Sequence, residues 1–223
     1  MAVQDICFRH RIETKIKGMG KRIGIYLAGM IFVSLGIVLC AKCGLGVSPI
    51  SSLPYVFEAI VPVTFGQLTM IFHLINIGLQ LLLVKKIWNI RVLLQIPVAV
   101  LFGQLIDLLK NMIRIDQTNL LLQYLALILS IFFTALGMVC MIEMDLVQNP
   151  PDGLVKLISE KCGAGLGRVK IMYDVTMAVL SGIIGMVFLG KLRGLGIATV
   201  VSAVLVGRCV SGMQRGISKR SMV

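Results

Sequence analysis

Residues 120–142 read LLLQYLALILSIFFTALGMVCMI, a run without one Asp, Glu, Lys or Arg. As a helix it would be roughly 34 Å long, enough to cross a hydrocarbon core of about 30 Å. In lipid every backbone N–H and C=O has to be satisfied within the segment, which leaves a helix or a closed barrel. The run lacks the strict period-two alternation of a barrel strand, so it is a helix.

Five more apolar runs of spanning length flank it, at 23–41, 65–84, 92–109, 171–189 and 196–214. The composition agrees: 57% of the 223 residues are hydrophobic and 14% charged, and the mean hydropathy is +0.95. A soluble domain carries about 25% charged residues, so this chain has too few polar groups to cover a water-facing surface. Its solvent is lipid.

The net charge of +12 is read as topology and not as nucleic-acid binding. The basic residues stand in short clusters between apolar runs, with no aromatic stacking platform among them. Arg9, Arg11, Lys15, Lys17, Lys21 and Arg22 precede the first run, and Lys85, Lys86 and Arg91 follow the second. Lys156, Lys161, Arg168 and Lys170 precede the fifth; Arg208, Arg215, Lys219 and Arg220 close the chain. The alternate loops hold only Lys42, Lys110, Arg114, Lys191 and Arg193. Lys and Arg hold loops on the cytoplasmic side, so both termini are expected there, in a bacterial inner membrane. Residues 1–22 lack an apolar stretch followed by a cleavage site, so nothing indicates export.

Between spans lie two segments too short to cross, 48–61 (SPISSLPYVFEAIV) and 149–161 (NPPDGLVKLISEK). Ser48 before Pro49, and Asn149 before Pro150 and Pro151, are helix-start signals, with a capping side chain at N-cap and Pro in the first turn. About three turns follow in each, roughly 18 Å of helix. Such a piece lies at the interface or dips partway into the bilayer.

An offset of about 101 residues aligns the chain with itself. Pro49 falls on Pro150, Gly66 on Gly167, Phe72 on Tyr173 and His73 on Asp174; with a small adjustment Gly103 falls on Gly207 and Arg91 on Arg193. The expected fold class is therefore all-α: a polytopic membrane protein of about six transmembrane helices. These form two inverted three-helix repeats, each with a short Pro-capped helix after its first span. Three spans per half is an odd number, which turns the second copy upside down, as in many secondary transporters. The expected divisions are a basic cytoplasmic segment at 1–22, repeats at 23–115 and 116–214, and a basic cytoplasmic tail at 215–223.

The motifs Asn149-Pro150-Pro151-Asp152-Gly153-Leu154, Gly167-Arg168-Val169-Lys170, Gly194-Leu195-Gly196-Ile197-Ala198-Thr199 and Ala203-Val204-Leu205-Val206-Gly207 punctuate the second half. Gly44-Leu45-Gly46-Val47-Ser48-Pro49 and Thr64-Phe65-Gly66 punctuate the first. Together they resemble the YczE/YyaS/YitT family of bacterial membrane proteins over nearly the whole chain. Ile50 stands where that family commonly has an aromatic, and Arg208 where it has a proline. The resemblance implies the architecture more than any substrate.

Ionisable groups within spans cost about 2.5–3.5 kcal/mol each on insertion scales and mark functional sites by default. His73 lies mid-span, and Gln67, Asn76 and Gln80 share its helix face. Asp174, one turn into the fifth span, has His73 or Arg208 as partner, or forms a headgroup-level ion pair with the nearby Arg168 and Lys170. Asp107 suits a local pair with Lys110, and Gln95 and Gln104 add polar surface. Ser48, Ser51, Ser52, Asn149, Asp152 and Gly153 surround the two short-helix N-termini, which could aim N–H groups at an anionic ligand, although capping explains them equally. The candidate substrate-binding set is thus His73, Asn76, Gln80, Asp174, Ser48, Ser51, Ser52, Asn149, Asp152 and Gly153.

Gly163, Gly165 and Gly167 fit a tight loop, and Gly182 and Gly185 with Ser181 fit close helix contact. The six cysteines include a Cys40-x-x-Cys43 pair with no accompanying ligand pair. No HExxH, GxSxG or Walker A pattern is present. No enzyme activity, cofactor or metal is therefore expected. The sequence reads as a small carrier or exporter. A non-transporting membrane partner and the substrate-binding subunit of a multi-part importer are the alternatives; the latter lacks an A-x-x-x-A face, Phe32 following Ala28. Lipid is the expected partner, with a small-molecule substrate and a second copy of the chain left open.

Overall fold

The computed structural model describes residues 18–84, 90–115 and 118–220, with side chains as far as 214. The basic clusters at 9–17, 85–86 and 215–220 lie outside the described side chains. The helices are α1 (Met19–Lys42), α2 (Pro49–Phe57), α3 (Phe65–Val84), α4 (Ile90–Leu93), α5 (Gln95–Met112), α6 (Leu120–Met144), α7 (Pro150–Cys162), α8 (Leu166–Leu189) and α9 (Ile197–Arg220). Taking α4 and α5 as one span, six helices among the described residues are long and apolar enough to cross a membrane. The protein is an all-helical, polytopic membrane fold.

Burial is inverted relative to a soluble domain. Leu82, Val187 and Val200 are each about two-thirds or more exposed, while Ser34, Ser52, His73, Asn76, Gln80 and Gln95 are buried. Lipid is as apolar as leucine, so close packing and interhelical hydrogen bonds hold the bundle together in place of water exclusion.

The central seam is α1 against α6, packed antiparallel. Near one end Tyr26 donates to the Val147 carbonyl at 3.0 Å. Further along, a Cβ on Gly29 would lie 2.9 Å from the Gly137 carbonyl, and one on Gly36 would lie 2.7 Å from that of Ser130. Glycine is required at these positions by the approach of the opposite backbone. Phe32 and Phe133 stack at 5.9 Å beside them.

Each short helix packs on the opposite half: α2 on α8, and α7 on α3. The segments Gly44-Leu45-Gly46 and Gly194-Leu195-Gly196 cross. Val47 N–H donates to the Gly194 carbonyl at 2.8 Å and Ala198 N–H to that of Leu45 at 3.0 Å. Gly46 and Gly194 take φ of 115° and 78° there, a region open to glycine at little cost.

Several boundaries differ from the sequence expectation. α2 stops at Phe57, with 58–60 in a turn, so it is shorter than three full turns. α8 begins at Leu166 and not at 171, which takes Arg168 and Lys170 into the helix. No proline stands between Gly165 and residue 171, and two carboxylates neutralise Lys170. Asp174 therefore lies about two turns in. Gly163, at φ 63°, ends α7 and Gly165 starts α8, giving the tight loop that the glycines foretold.

Candidate functional site

The buried face of α3 carries Thr69, His73, Asn76 and Gln80. These spacings of four, three and four repeat the helical period, so the four side chains form one polar stripe. Gln67 is not part of it: it is exposed, and its side chain accepts from Thr64 N–H at 3.2 Å near the start of α3. Thr69 takes its place, its hydroxyl donating to the Phe65 carbonyl at 2.7 Å.

Three elements meet this stripe. From α5, the Gln95 amide exchanges two hydrogen bonds with Gln80, at 2.9 and 3.1 Å. From α7, the Pro150 carbonyl accepts from Gln80 Nε2 at 2.9 Å. Gly153 lies against the same amides, and a Cβ there would be 2.9 Å from Gln80 Oε1. From α8, the Tyr173 hydroxyl donates to Asn76 Oδ1 at 2.7 Å, while Asn76 Nδ2 donates to its own helix at Phe72 O, also 2.7 Å. His73 stacks on Phe102 of α5 with ring centroids 5.3 Å apart.

Beside this neutral network is a charged one. Lys170 Nζ donates to Asp152 Oδ1 at 3.0 Å and lies 3.5 Å from Asp174 Oδ1, one turn along its own helix. Asp174 Oδ1 is buried, and that ammonium is the group that meets its charge. His73 Nδ1 is buried with no hydrogen-bond partner. An unsatisfied buried polar atom costs on the order of 1–3 kcal/mol, so its presence beside a charge cluster calls for an explanation.

Of the candidate residues, the structure brings together His73, Asn76, Gln80, Asn149, Asp152, Gly153 and Asp174, where α3, α5, α7 and α8 meet. Ser48, Ser51 and Ser52 stand apart from that network at the start of α2, where Ser52 Oγ donates to the Pro49 carbonyl at 2.6 Å and lies 3.3 Å from Met177 O of α8. Ser48 and Asn149 occupy N-cap positions, yet neither side chain caps its helix. Ser48 bonds Ser51 Oγ at 3.0 Å instead, and Asn149 Nδ2 reaches Asp152 Oδ2 at 3.5 Å.

Asp174 takes Lys170 as its ion partner, while Arg208 is exposed on α9. Asp107 does not pair with Lys110. Its carboxylate accepts from Gly66 N–H at 2.7 Å and the Thr64 hydroxyl, satisfying donors that the first turn of α3 leaves open. Lys110 pairs with Glu58 across the loop, and Glu58 also accepts from Phe65 N–H at 3.1 Å.

Tyr173 is the site residue that sequence reasoning missed, and Lys170 is expected there as a partner of Asp174 but not as a member of the candidate site. The available signal was a Lys four residues before an Asp inside an apolar run, the i,i+4 pair that neutralises a buried charge. At the end of α1, the Cys40 and Cys43 thiols are buried, and hydrogen bonding with Cys40 lowers Cys43 to about 7 against the opposing effect of burial. Among the described residues no group of three or more His, Cys, Asp or Glu is placed to hold a metal ion.

These features define a polytopic helical membrane protein with a polar, charged interface between its halves. The chain belongs to a family of unknown function (DUF6198), which matches residues 20–215. No curated protein and no solved structure matches it.

Proposed function

We propose that this protein is a small-molecule secondary carrier or exporter of the bacterial cell membrane, with its substrate site between two inverted repeats. The carrying observation is the Asp152–Lys170–Asp174 charge cluster between helices, with His73 Nδ1 buried near it and left without a hydrogen-bond partner. Polar groups that only glue helices together are expected to saturate one another. A site that takes a hydrogen-bonding ligand keeps some free.

The matched order of elements, the antiparallel α1–α6 seam and the reciprocal packing of α2 and α7 support the repeat and its inversion. The basic loops support cytoplasmic termini. The resemblance to the YczE/YyaS/YitT proteins agrees with the same architecture. In this reading the protein carries out no covalent chemistry. Substrate binds against Asp152, Lys170, Asp174 and His73, with Asn76 and Tyr173 fixing α3 to α8 beside them. His73 and Asp174 are the groups able to exchange a proton with the passage of substrate.

The test compares cells with and without the protein by mass spectrometry of intracellular and medium metabolites. At least one compound is expected to change its distribution across the membrane, and Asp174→Asn or Lys170→Met is expected to abolish that change. Identical distributions in the two strains over several growth conditions sink the reading.

One observation favours a second reading, a non-transporting membrane partner. A groove of about 470 Å³ on α8, lined by Ala178, Val179, Gly182, Ile183, Met186 and Val187, is almost wholly apolar and uncovered. Constant co-purification of one protein, lost on substitutions in this groove and unaffected by Asp174→Asn, would establish that alternative.

A further inference from the structure

We infer that α3–α5 and α8–α9 are two alternating gates of one carrier, the first closed and the second open in this structure. The inference rests on the carrier reading and its topology, and adds to them the moving parts.

In the first half, α3 and α5 pack as a hairpin. At the turn end Gln80 and Gln95 exchange amide hydrogen bonds. At the far end Gly66 and Gly103 meet backbone to backbone, a Cβ on Gly103 lying 2.6 Å from the Gly66 carbonyl. Asp107 then ties α5 to Gly66 N–H and Thr64, and Lys110 ties it to Glu58.

The offset that relates the halves carries Gly66 to Gly167 and Gly103 to Gly207, and both of these glycines face open space. α8 and α9 are not packed along their length. The loop that joins them folds back on α8 instead, Gly182 facing Leu192 and Leu195 and Gly185 facing the Lys191 carbonyl. The latch is missing too. Ser211 stands four residues after Gly207, as Asp107 does after Gly103, and its hydroxyl bonds back to Gly207 O at 2.9 Å.

Sequence matches that pair in one hairpin and part in the other are what an inverted repeat gives when each half adopts its partner's conformation in turn. With cytoplasmic termini, the closed Gly66–Gly103 end faces out and the open Gly167–Gly207 end faces in. Lys170 and Asp174, about one and two turns from the parted end of α8, then lie towards the cytoplasm. The other state zips Gly167 against Gly207 and parts Gly66 from Gly103.

Spin-label distances in nanodiscs test this without any substrate. Nitroxides are placed on Leu166→Cys and Val204→Cys, exposed positions near the two open glycines, in a background lacking the native cysteines. A major long distance and a minor short one are expected. Gly103→Ala, which wedges the closed hairpin, is expected to raise the short population several-fold, as is the milder Asp107→Asn. A second label pair across the α1–α6 seam, on Gly24→Cys and Ile142→Cys, is expected to stay unchanged, which separates gating from misfolding. A single long distance that neither variant moves, with the seam pair intact, overturns the inference. A metabolite shift without label motion leaves the carrier reading standing alone, and label motion without any metabolite shift leaves only the gates.

Discussion

The helix pairs α3–α5 and α8–α9 both carry glycines, Gly66 and Gly103 in the first and Gly167 and Gly207 in the second, yet they sit differently in the bundle. In the spans of α3 and α5, 33% and 39% of residues are buried; in those of α8 and α9 the share is 17% each. Glycine spacing alone therefore does not make a helix pair. Gly66 and Gly103 touch because Asp107 and Lys110 bind the start of α3 and the loop before it. Gly167 and Gly207, without such a clasp, do not. The same contrast runs through the polar groups, since the α3 stripe carries amides, a hydroxyl and an imidazole while α8 brings Lys170 and Asp174.

The most damaging way to break the comparison is at the seam both halves share. Gly137→Leu drives a side chain into Val33 and the Gly29 backbone, and a loss of about 3 kcal/mol or more is expected by overpacking. Thermal unfolding in detergent should show little folded protein at any temperature. Next is Lys170→Met, which leaves Asp152 and Asp174 facing each other without a cation. The three carboxyl and ammonium groups are partly exposed, so about 2 kcal/mol is expected in place of the larger fully buried value. The double variant with Asp152→Asn should recover part of the melting temperature.

The sharpest contrast is between two equivalent substitutions. Gly103→Ala is expected to destabilise by about 1–2 kcal/mol, because a Cβ there collides with the backbone of α3. Gly207→Ala meets nothing and is expected to stabilise by up to about 1 kcal/mol through helix propensity. Melting curves of equal sign and size would erase the asymmetry between the hairpins. The smallest effect is expected from Tyr173→Phe, which removes the hydroxyl bonded to Asn76 and costs about 1 kcal/mol. A neutral result in the melt would mean that water replaces that bond in a wet interface.

Much of the fold was legible beforehand because hydropathy is additive along the chain. All six spans and both short helices appear where apolar runs and Ser-Pro or Asn-Pro starts put them. The site was legible in part. His73, Asn76 and Gln80 announced a common face through their spacing alone, and Asp174 announced Lys170 at four residues, whereas the Lys170 contact with Asp152 was hidden because Asp152 is on another helix. Asp107 misled for the same reason: Lys110, three residues on, suits it locally, but the open N–H groups of α3 compete better.

What the sequence determined by itself is the set of helices and their lipid surroundings, since a helix in hydrocarbon satisfies its own backbone and needs no neighbour to form. Tertiary structure alone decided which glycines touch, which carboxylates Lys170 reaches and which pair of helices packs closely. Those outcomes depend on backbones meeting within a few ångströms, a distance that no spacing along the chain encodes.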